Sequence, residues 1–525
     1  MFFVLTPLGV SGLSSHTHIV GIGGAGMSAI AHLLLERGDQ ISGCDRALSA
    51  TTAALVAKGA TIVQGHSAEH LPTVDRLLVT SALPADHVEL VAAHECGIAV
   101  QTRHDLWREW SSERAVVAIS GTHGKTTTTA MTALILHHAG LHPGYLIGAH
   151  VPALGGSAAW GSGPLVIEAD EYARTFLALT PQIAVITNLD WDHVDIYPTQ
   201  AAYDAAFREF AEAGIGDRGS GIRDQGSGIR ESGNRESGGR GIGQGSGGGG
   251  RKSGEQGKEK QELGSSVGDS TASRPPTPDP RPLIVCGDDA GVQRVLGNLR
   301  AIRCGLNAGN DWRATDLQPR DGGMLFTVQR GTATLGAVWL GVAGEHNVQN
   351  ALLALAVADW YGVPFDHAAA ALALYRGSAR RFEPKGSAGG VEVFDDYAHH
   401  PTEIRATIAA ARGRFPHRRL VVYFQPHTYS RLQAFGADFS VAFAGADVVR
   451  IGAVYGARET TVGVDPTTTI VTAMQHPDVA AVGDLAGAFA NLAALLHPGD
   501  VLLTLGAGDG VQVGERIIAA LSHAV

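Results

Sequence analysis

The segment Ser120-Gly121-Thr122-His123-Gly124-Lys125-Thr126-Thr127 follows an apolar, β-branched run over 115–119 and precedes a helical pattern from Thr128 to His138. Strand, glycine turn, lysine, hydroxyl and helix, in that order, is the plan of a phosphate-binding loop. Glycines let backbone N–H groups close around phosphate oxygens, and the helix N-terminus adds a favourable dipole. Lys125 is placed to reach the β- and γ-phosphates of a nucleotide, and Thr126 to hold Mg²⁺. The full pattern has a further glycine five residues before Gly124, where this chain has Ile119. On these residues alone the alternative is a threonine-rich helix cap with a solvated lysine.

A second glycine loop lies nearer the N-terminus. His18-Ile19-Val20 runs into Gly21-Ile22-Gly23-Gly24-Ala25-Gly26-Met27-Ser28 and a helix to about Arg37. Gly21, Gly23 and Gly26 complete a GxGxxG pattern, and the strand that follows ends at Asp45, about 20 positions on, as in a Rossmann-type βαβ unit. By itself the loop predicts a diphosphate at a helix N-terminus. A dinucleotide is the default ligand, and an NAD(P)-dependent oxidoreductase is one reading. Further strands are predicted at 77–81 and 98–100, and the first domain over 16–103.

The central domain is predicted over 104–375. In it the strand 165–167 runs into Glu168-Ala169-Asp170-Glu171, and 183–186 into Thr187-Asn188-Leu189-Asp190-Trp191-Asp192-His193. Ligands of open α/β sheets sit beyond the carboxyl ends of strands. A carboxylate and an imidazole there are natural ligands for a metal bridging nucleotide and acceptor. Asn347 and Asn350, three apart ahead of an apolar helix over 351–360, could carry amides to a base or phosphate. Residues 214–280 break the pattern: 20 glycines against seven aliphatic residues leave too little apolar surface to fold, so this stretch reads as a disordered insertion. Lengthening a loop from ~5 to ~67 residues costs only about 2 kcal/mol of closure entropy, so a domain tolerates it.

The third domain, predicted over 376–525, alternates strands (391–394, 420–424, 447–451, 501–505) with helical patterns. Three strand ends carry polar clusters, including Asp395-Asp396-Tyr397-Ala398-His399-His400-Pro401 and Gln425-Pro426-His427-Thr428-Tyr429-Ser430-Arg431. A net charge of −11 argues against nucleic acid or an anionic membrane as the main partner. The four cysteines lack metal or redox spacing, no apolar run reaches 18 residues, and the apolar N-terminus lacks a basic leader. A cytoplasmic location is expected.

Taken together, these motifs resemble the Mur ligases, and within them the branch that joins L-alanine to UDP-N-acetylmuramate. That family uses a shortened phosphate loop, which accounts for Ile119. The resemblance implies three α/β domains: an N-terminal Rossmann-like UDP-binding domain, a central P-loop ATPase-type domain and a C-terminal Rossmann-like domain. It implies ATP-driven amide formation through an acyl phosphate in peptidoglycan precursor synthesis. ATP and Mg²⁺ (two ions, with Mn²⁺ as a substitute) are the implied cofactors, and a monomer or weak homodimer the implied assembly. Gly21, Gly23, Gly24, Gly26, Met27, Ser28, Asp45 and Ser81 fall on the UDP side. Gly121, Thr122, His123, Gly124, Lys125, Thr126, Thr127, Asn347, Asn350 and Asp396 fall on the ATP side. Lys125, Glu168, His193 and Arg381 match catalytic positions, with Thr126, Glu168 and His193 at metal and Glu171 the rival carboxylate. His400, His427, Tyr429 and Arg431 fall on the acceptor side. A ligase that recycles murein tripeptide onto the same sugar acid shares most of these features.

Overall fold

A computed structural model of the chain describes residues 15–80, 83–215, 281–457, 459 and 467–523. Ser81 and residues 216–280, nearly all of the expected insertion, lie outside them. The helix Gln200–Ile215 continues through Gly214, which is buried, so 214 and 215 belong to the folded domain and not to the insertion.

Three sheets organise the described chain. In the first domain five parallel strands lie in the order Thr61–Gln64, Gln40–Asp45, His16–Val20, Arg76–Leu78, Ala99–Gln101. The chain winds outward one way from His16–Val20 and then returns to its other side. The first glycine loop therefore leaves from the strand at which the order reverses, where an open sheet has its crevice.

In the central sheet the strand Val116–Ser120 lies between Ile183–Ile186 and Leu165–Glu168, parallel to both. Its residues are fully buried, which is why an unbroken β-branched run marks it. The register sets Ile119 beside Glu168 and Ser120 beside Ile186, so both acidic strand ends flank the phosphate loop. Beyond Ile302–Gly305 the sheet continues through Trp312–Arg320, Gly323–Arg330 and Ala333–Leu340, an antiparallel meander. The third sheet runs Glu383–Ala388, Val391–Asp396, Val501–Leu505, Leu420–Phe424, Val448–Gly452, Val479–Gly483, parallel except for its first pair. No described helix is long and apolar enough to cross a membrane.

Candidate active site

A cleft of about 900 Å³ opens where the three domains meet. Its walls carry Gly26, Ser28 and Arg103 from the first domain, the phosphate loop with Glu168, Asp170 and His193 from the second, and Arg381, Tyr397, His399, His427 and Arg431 from the third.

The phosphate loop is built around two glycines that admit no side chain. Gly121 has φ +127°, and a Cβ there would lie 2.1 Å from Thr187 Oγ1. Gly124 has φ +79° and would meet Asn350 Oδ1 at 2.6 Å. Asn350 also accepts from Thr128 Oγ1 (3.2 Å) and donates to Asn347 Oδ1, while Asn347 Nδ2 donates to Ala343 O at 2.7 Å. Both asparagines thus brace the loop from behind; they are the second layer of the site, inside a helix (Glu345–Trp360) that starts earlier than its apolar run suggests.

Lys125 Nζ lies 2.8 Å from Glu171 Oε2 and donates to the carbonyls of Gly121 and Thr122. Burial opposes its charge, but Glu171 and Asp170 outweigh that and hold its pKa above the usual lysine range. Thr126 Oγ1 donates to Glu168 Oε1 (3.0 Å), whose other oxygen accepts from the Gly148 amide (2.6 Å). Burial pushes the Glu168 carboxyl up despite Lys125 and these donors. His193 Nε2 stands 3.5 Å from Glu171 Oε1, and its imidazole is held up at about 9 against burial by Asp192 and Glu171.

The expected metal set Thr126, Glu168 and His193 is therefore arranged as two neighbouring groups. Thr126 pairs with Glu168, whereas Asp170, Glu171 and His193 bring their ligand atoms within 4.8 Å of one another. Carboxylate oxygens, a hydroxyl and one imidazole suit a hard cation. Glu171 Oε2 is buried and faces the Lys125 ammonium at 2.8 Å, so a bound cation would share this carboxylate with the lysine.

The third domain reaches the site through ion pairs. Arg431, 6% exposed, grips Asp192, 4% exposed, from two nitrogens at 3.0 and 3.1 Å. His123 Nδ1 lies 3.2 Å from Glu403 and its Nε2 3.4 Å from Asp190; burial opposes the charge, but these carboxylates hold the ring up at about 9. Thr402 Oγ1 donates to Asp190 at 2.5 Å. Arg381 lies 3.6 Å from Glu403 and over the Tyr397 ring.

Several expected contacts are placed differently. Met27 is packed in the first core, on the buried side of its helix with Ile30, Ala31 and Leu34. Asp45 lies beside its loop: it accepts from the Gly23 amide at 2.9 Å, so its carboxylate braces the turn. Asp396 spends both oxygens on the Phe382 and Ala398 amides, and burial pushes its carboxyl up to about 6. His400 caps the helix Pro401–Arg414 and faces Asp190 and Phe435. Neither it nor Tyr429 lines the cleft. In place of His400 the cleft holds His399, whose ring burial and Arg431 hold down at about 3; sequence reading passed it over because adjacent histidines leave the facing one undecided. Asp170, Asp192, Glu403 and Arg103 were also missed. Asp192 signals itself through a partner distant in sequence, Arg431.

The comparisons agree with the three-domain fold. Residues 16–114 match the model of the Mur ligase family, catalytic domain; 119–222 match the Mur ligase middle domain, and 380–508 the Mur ligase, glutamate ligase domain. A UDP-N-acetylmuramate–L-alanine ligase of Roseiflexus castenholzii is 46% identical, over 97% of this chain and 98% of the relative. Two solved structures share the fold. The UDP-N-acetylmuramate-alanine ligase of Thermotoga maritima has a TM-score of 0.71 at 24% identity, covering 97% of this chain and 100% of that one. A murein peptide ligase of Psychrobacter arcticus has 0.64 at 23%, covering 97% and 99%. With three domain models matched in order along one set of glycine loops and strand ends, and a relative this similar over nearly its whole length, the chain belongs to the Mur ligase family.

Proposed function

We propose that the chain joins L-alanine to UDP-N-acetylmuramate at the cost of ATP, through an acyl phosphate. One observation carries the reading: a phosphate loop with a buried lysine opens onto the same cleft as the N-terminus of the first domain's glycine-loop helix. That geometry provides for two phosphate-bearing ligands meeting end to end, and the curated relative's name supplies their chemistry. The oxidoreductase reading of the first glycine loop has no use for Lys125 and is set aside with family membership.

The phosphate-loop amides and Lys125 bind the nucleotide's phosphates, and the helix Ala25–Arg37 with Arg103 binds the diphosphate of the sugar nucleotide. Thr126, Glu168, Asp170, Glu171 and His193 would hold Mg²⁺. When bound, it supplies neutralisation of charge on the transferring phosphoryl group. The substrate carboxylate takes the γ-phosphoryl group, releasing ADP. The amine of L-alanine then attacks the acyl carbon, loses a proton and expels phosphate. Lys125 and Arg381 offset charge that shifts toward the leaving oxygens, where preorganised donors act most strongly. His399 and His427, held neutral by burial beside Arg431, line the third-domain side, where the amine would enter. An acyl phosphate hydrolyses in water, so the Arg431–Asp192 and His123–Glu403 pairs, which hold the third domain over the cleft, protect it.

The test is phosphate release from ATP and UDP-N-acetylmuramate, with L-alanine, murein tripeptide or no amine added. Release that requires L-alanine is expected. Release with the tripeptide alone would move the chain to the recycling branch, and no release in any arm would overturn the ligase reading.

A further inference from the structure

The first domain holds a cluster of side chains that the ligase chemistry leaves unused. His18 on the strand His16–Val20, Cys44 on the strand Gln40–Asp45, His70 after the third strand and Glu89 in the first turn of the helix Val88–Glu95 bring their ligand atoms within 4.8 Å of one another. Glu89 is fully buried, and none of the four lines the phosphate cleft. Cys44 Sγ lies 3.1 Å from Glu89 Oε2, and His70 Nδ1 2.5 Å from Glu89 Oε1.

His18 distinguishes this cluster from a carboxylate merely surrounded by hydrogen-bond donors. Its Nδ1 is held by the Ser42 hydroxyl at 2.8 Å, which turns Nε2 inward. That nitrogen is buried and has no hydrogen-bond partner; Glu89 Oε1, at 3.7 Å, is beyond hydrogen-bond reach. A ring fixed through one nitrogen with the other aimed unpaired into a ring of ligand atoms is how a metal-binding histidine is oriented. Tetrahedral arms of about 2.0–2.3 Å place ligand atoms roughly 3.3–3.8 Å apart, so small side-chain shifts would close these four around an ion.

We propose that His18 Nε2, Cys44 Sγ, His70 Nδ1 and Glu89 form a binding site for a divalent transition metal of the zinc class, separate from the magnesium-requiring cleft. A sulfur and two imidazoles exclude Mg²⁺ and Ca²⁺, which take oxygen ligands, and match Zn²⁺. Burial beside Glu89 pushes the Cys44 thiol well up, so the metal-free site keeps its proton; binding releases that proton to solvent with no change of oxidation state. His66 Nδ1, 3.1 Å from Cys44 Sγ, stands as the outer partner of the thiolate. The ion would tie together both strands and the helix beneath the glycine loop, next to Asp45, which holds the Gly23 amide.

The experiment titrates Co²⁺ into the full-length protein with Mg²⁺ in excess, so that oxygen-rich sites are occupied. One equivalent is expected to give a thiolate-to-cobalt charge-transfer band with the intense visible bands of tetrahedral cobalt, both abolished by one equivalent of Zn²⁺. Cys44→Ser should lose the charge-transfer band, and Cys96→Ser, which removes the exposed thiol, should keep it. His70→Gln should weaken binding about tenfold or more. No band in the wild type, or an undiminished band in Cys44→Ser, overturns the proposal. If Cys44→Ser does not fold, unchanged cobalt affinity in His70→Gln overturns it.

Discussion

Lys125 has two neighbours with different claims on it, and replacing it by methionine separates them. Its ammonium is the nearest cation to the buried Glu171 carboxylate, which among the described residues keeps only His193, at 3.5 Å, when the lysine is gone. Breaking a buried ion pair costs about 3–5 kcal/mol, and at roughly 2–4 °C per kcal/mol for a domain of this size Lys125→Met should lower the melting temperature by about 10 °C. Loss of a preorganised donor to the transferring phosphoryl group should lower turnover by about 10²–10³-fold. The two effects part company in a Glu171→Gln background, where no buried charge is left unpaired. There Lys125→Met should cost little stability, yet turnover should still fall by about the same factor relative to Glu171→Gln alone. Phosphate release with all three substrates and thermal unfolding of the four proteins supply the cycle. If the turnover loss disappears in the Glu171→Gln background, Lys125 serves only to hold Glu171. Wild-type turnover in the single variant would refute the phosphate-loop assignment outright.

Arg431→Met strips the buried Asp192 of its guanidinium and should destabilise the third domain's docking by about 3–5 kcal/mol; Asp192→Leu in the same chain should restore much of it, read by thermal unfolding. His123 and His193 are both held at about 9, above the usual value of 6.5, so the stability they lend is complete below pH 6.5 and lost as pH rises through 9. In metal-free buffer the melting temperature should therefore fall across that window, and His123→Gln should remove part of the slope; an unchanged slope would count against the His123–Glu403 pair. Gly124→Ala forces a Cβ to 2.6 Å from Asn350 Oδ1 at φ +79°, and should abolish nucleotide binding measured by calorimetry while leaving the first domain's ligand in place. Deleting residues 217–278, whose composition offers no core, should leave turnover within a few-fold.

What the sequence disclosed of the fold is what repeats along the chain. The strands at Val116–Ser120, Leu165–Glu168 and Ile183–Ile186 are buried on both faces, so each is a continuous apolar run bounded by turn residues, and each is legible at close to its observed limits. The meander Trp312–Leu340 was not legible. Its strands have a solvated face and carry arginine, aspartate and glutamine among their residues, and a register shift after Thr315 breaks the alternation that would have marked them. The same holds for the pair Glu383–Ala388 and Val391–Asp396, where the outer strand is largely exposed and only the inner one reads as apolar.

The site divides along a different line. The glycine loops were legible because the backbone conformation itself demands glycine: no side chain fits at Gly121 or Gly124. Lys125 and the acidic strand ends were legible from their places next to that loop and at the ends of apolar runs. Which of two adjacent polar residues faces the cleft was not, since His399 and His400 differ only in where the helix Pro401–Arg414 begins. One cap position sends His400 to Asp190 and leaves His399 lining the cleft. Glu168 and Glu171 are separated in the same way, by strand register. The last strand residue meets Thr126, and the carboxylate three positions on, past the strand end, meets Lys125 and His193. Pairings such as Arg431 with Asp192 join positions 239 apart and exist only once the third domain has docked. The phosphate-binding motifs were therefore visible in the sequence, whereas the docking of the third domain over the cleft was written in charges that find their partners only in the folded chain.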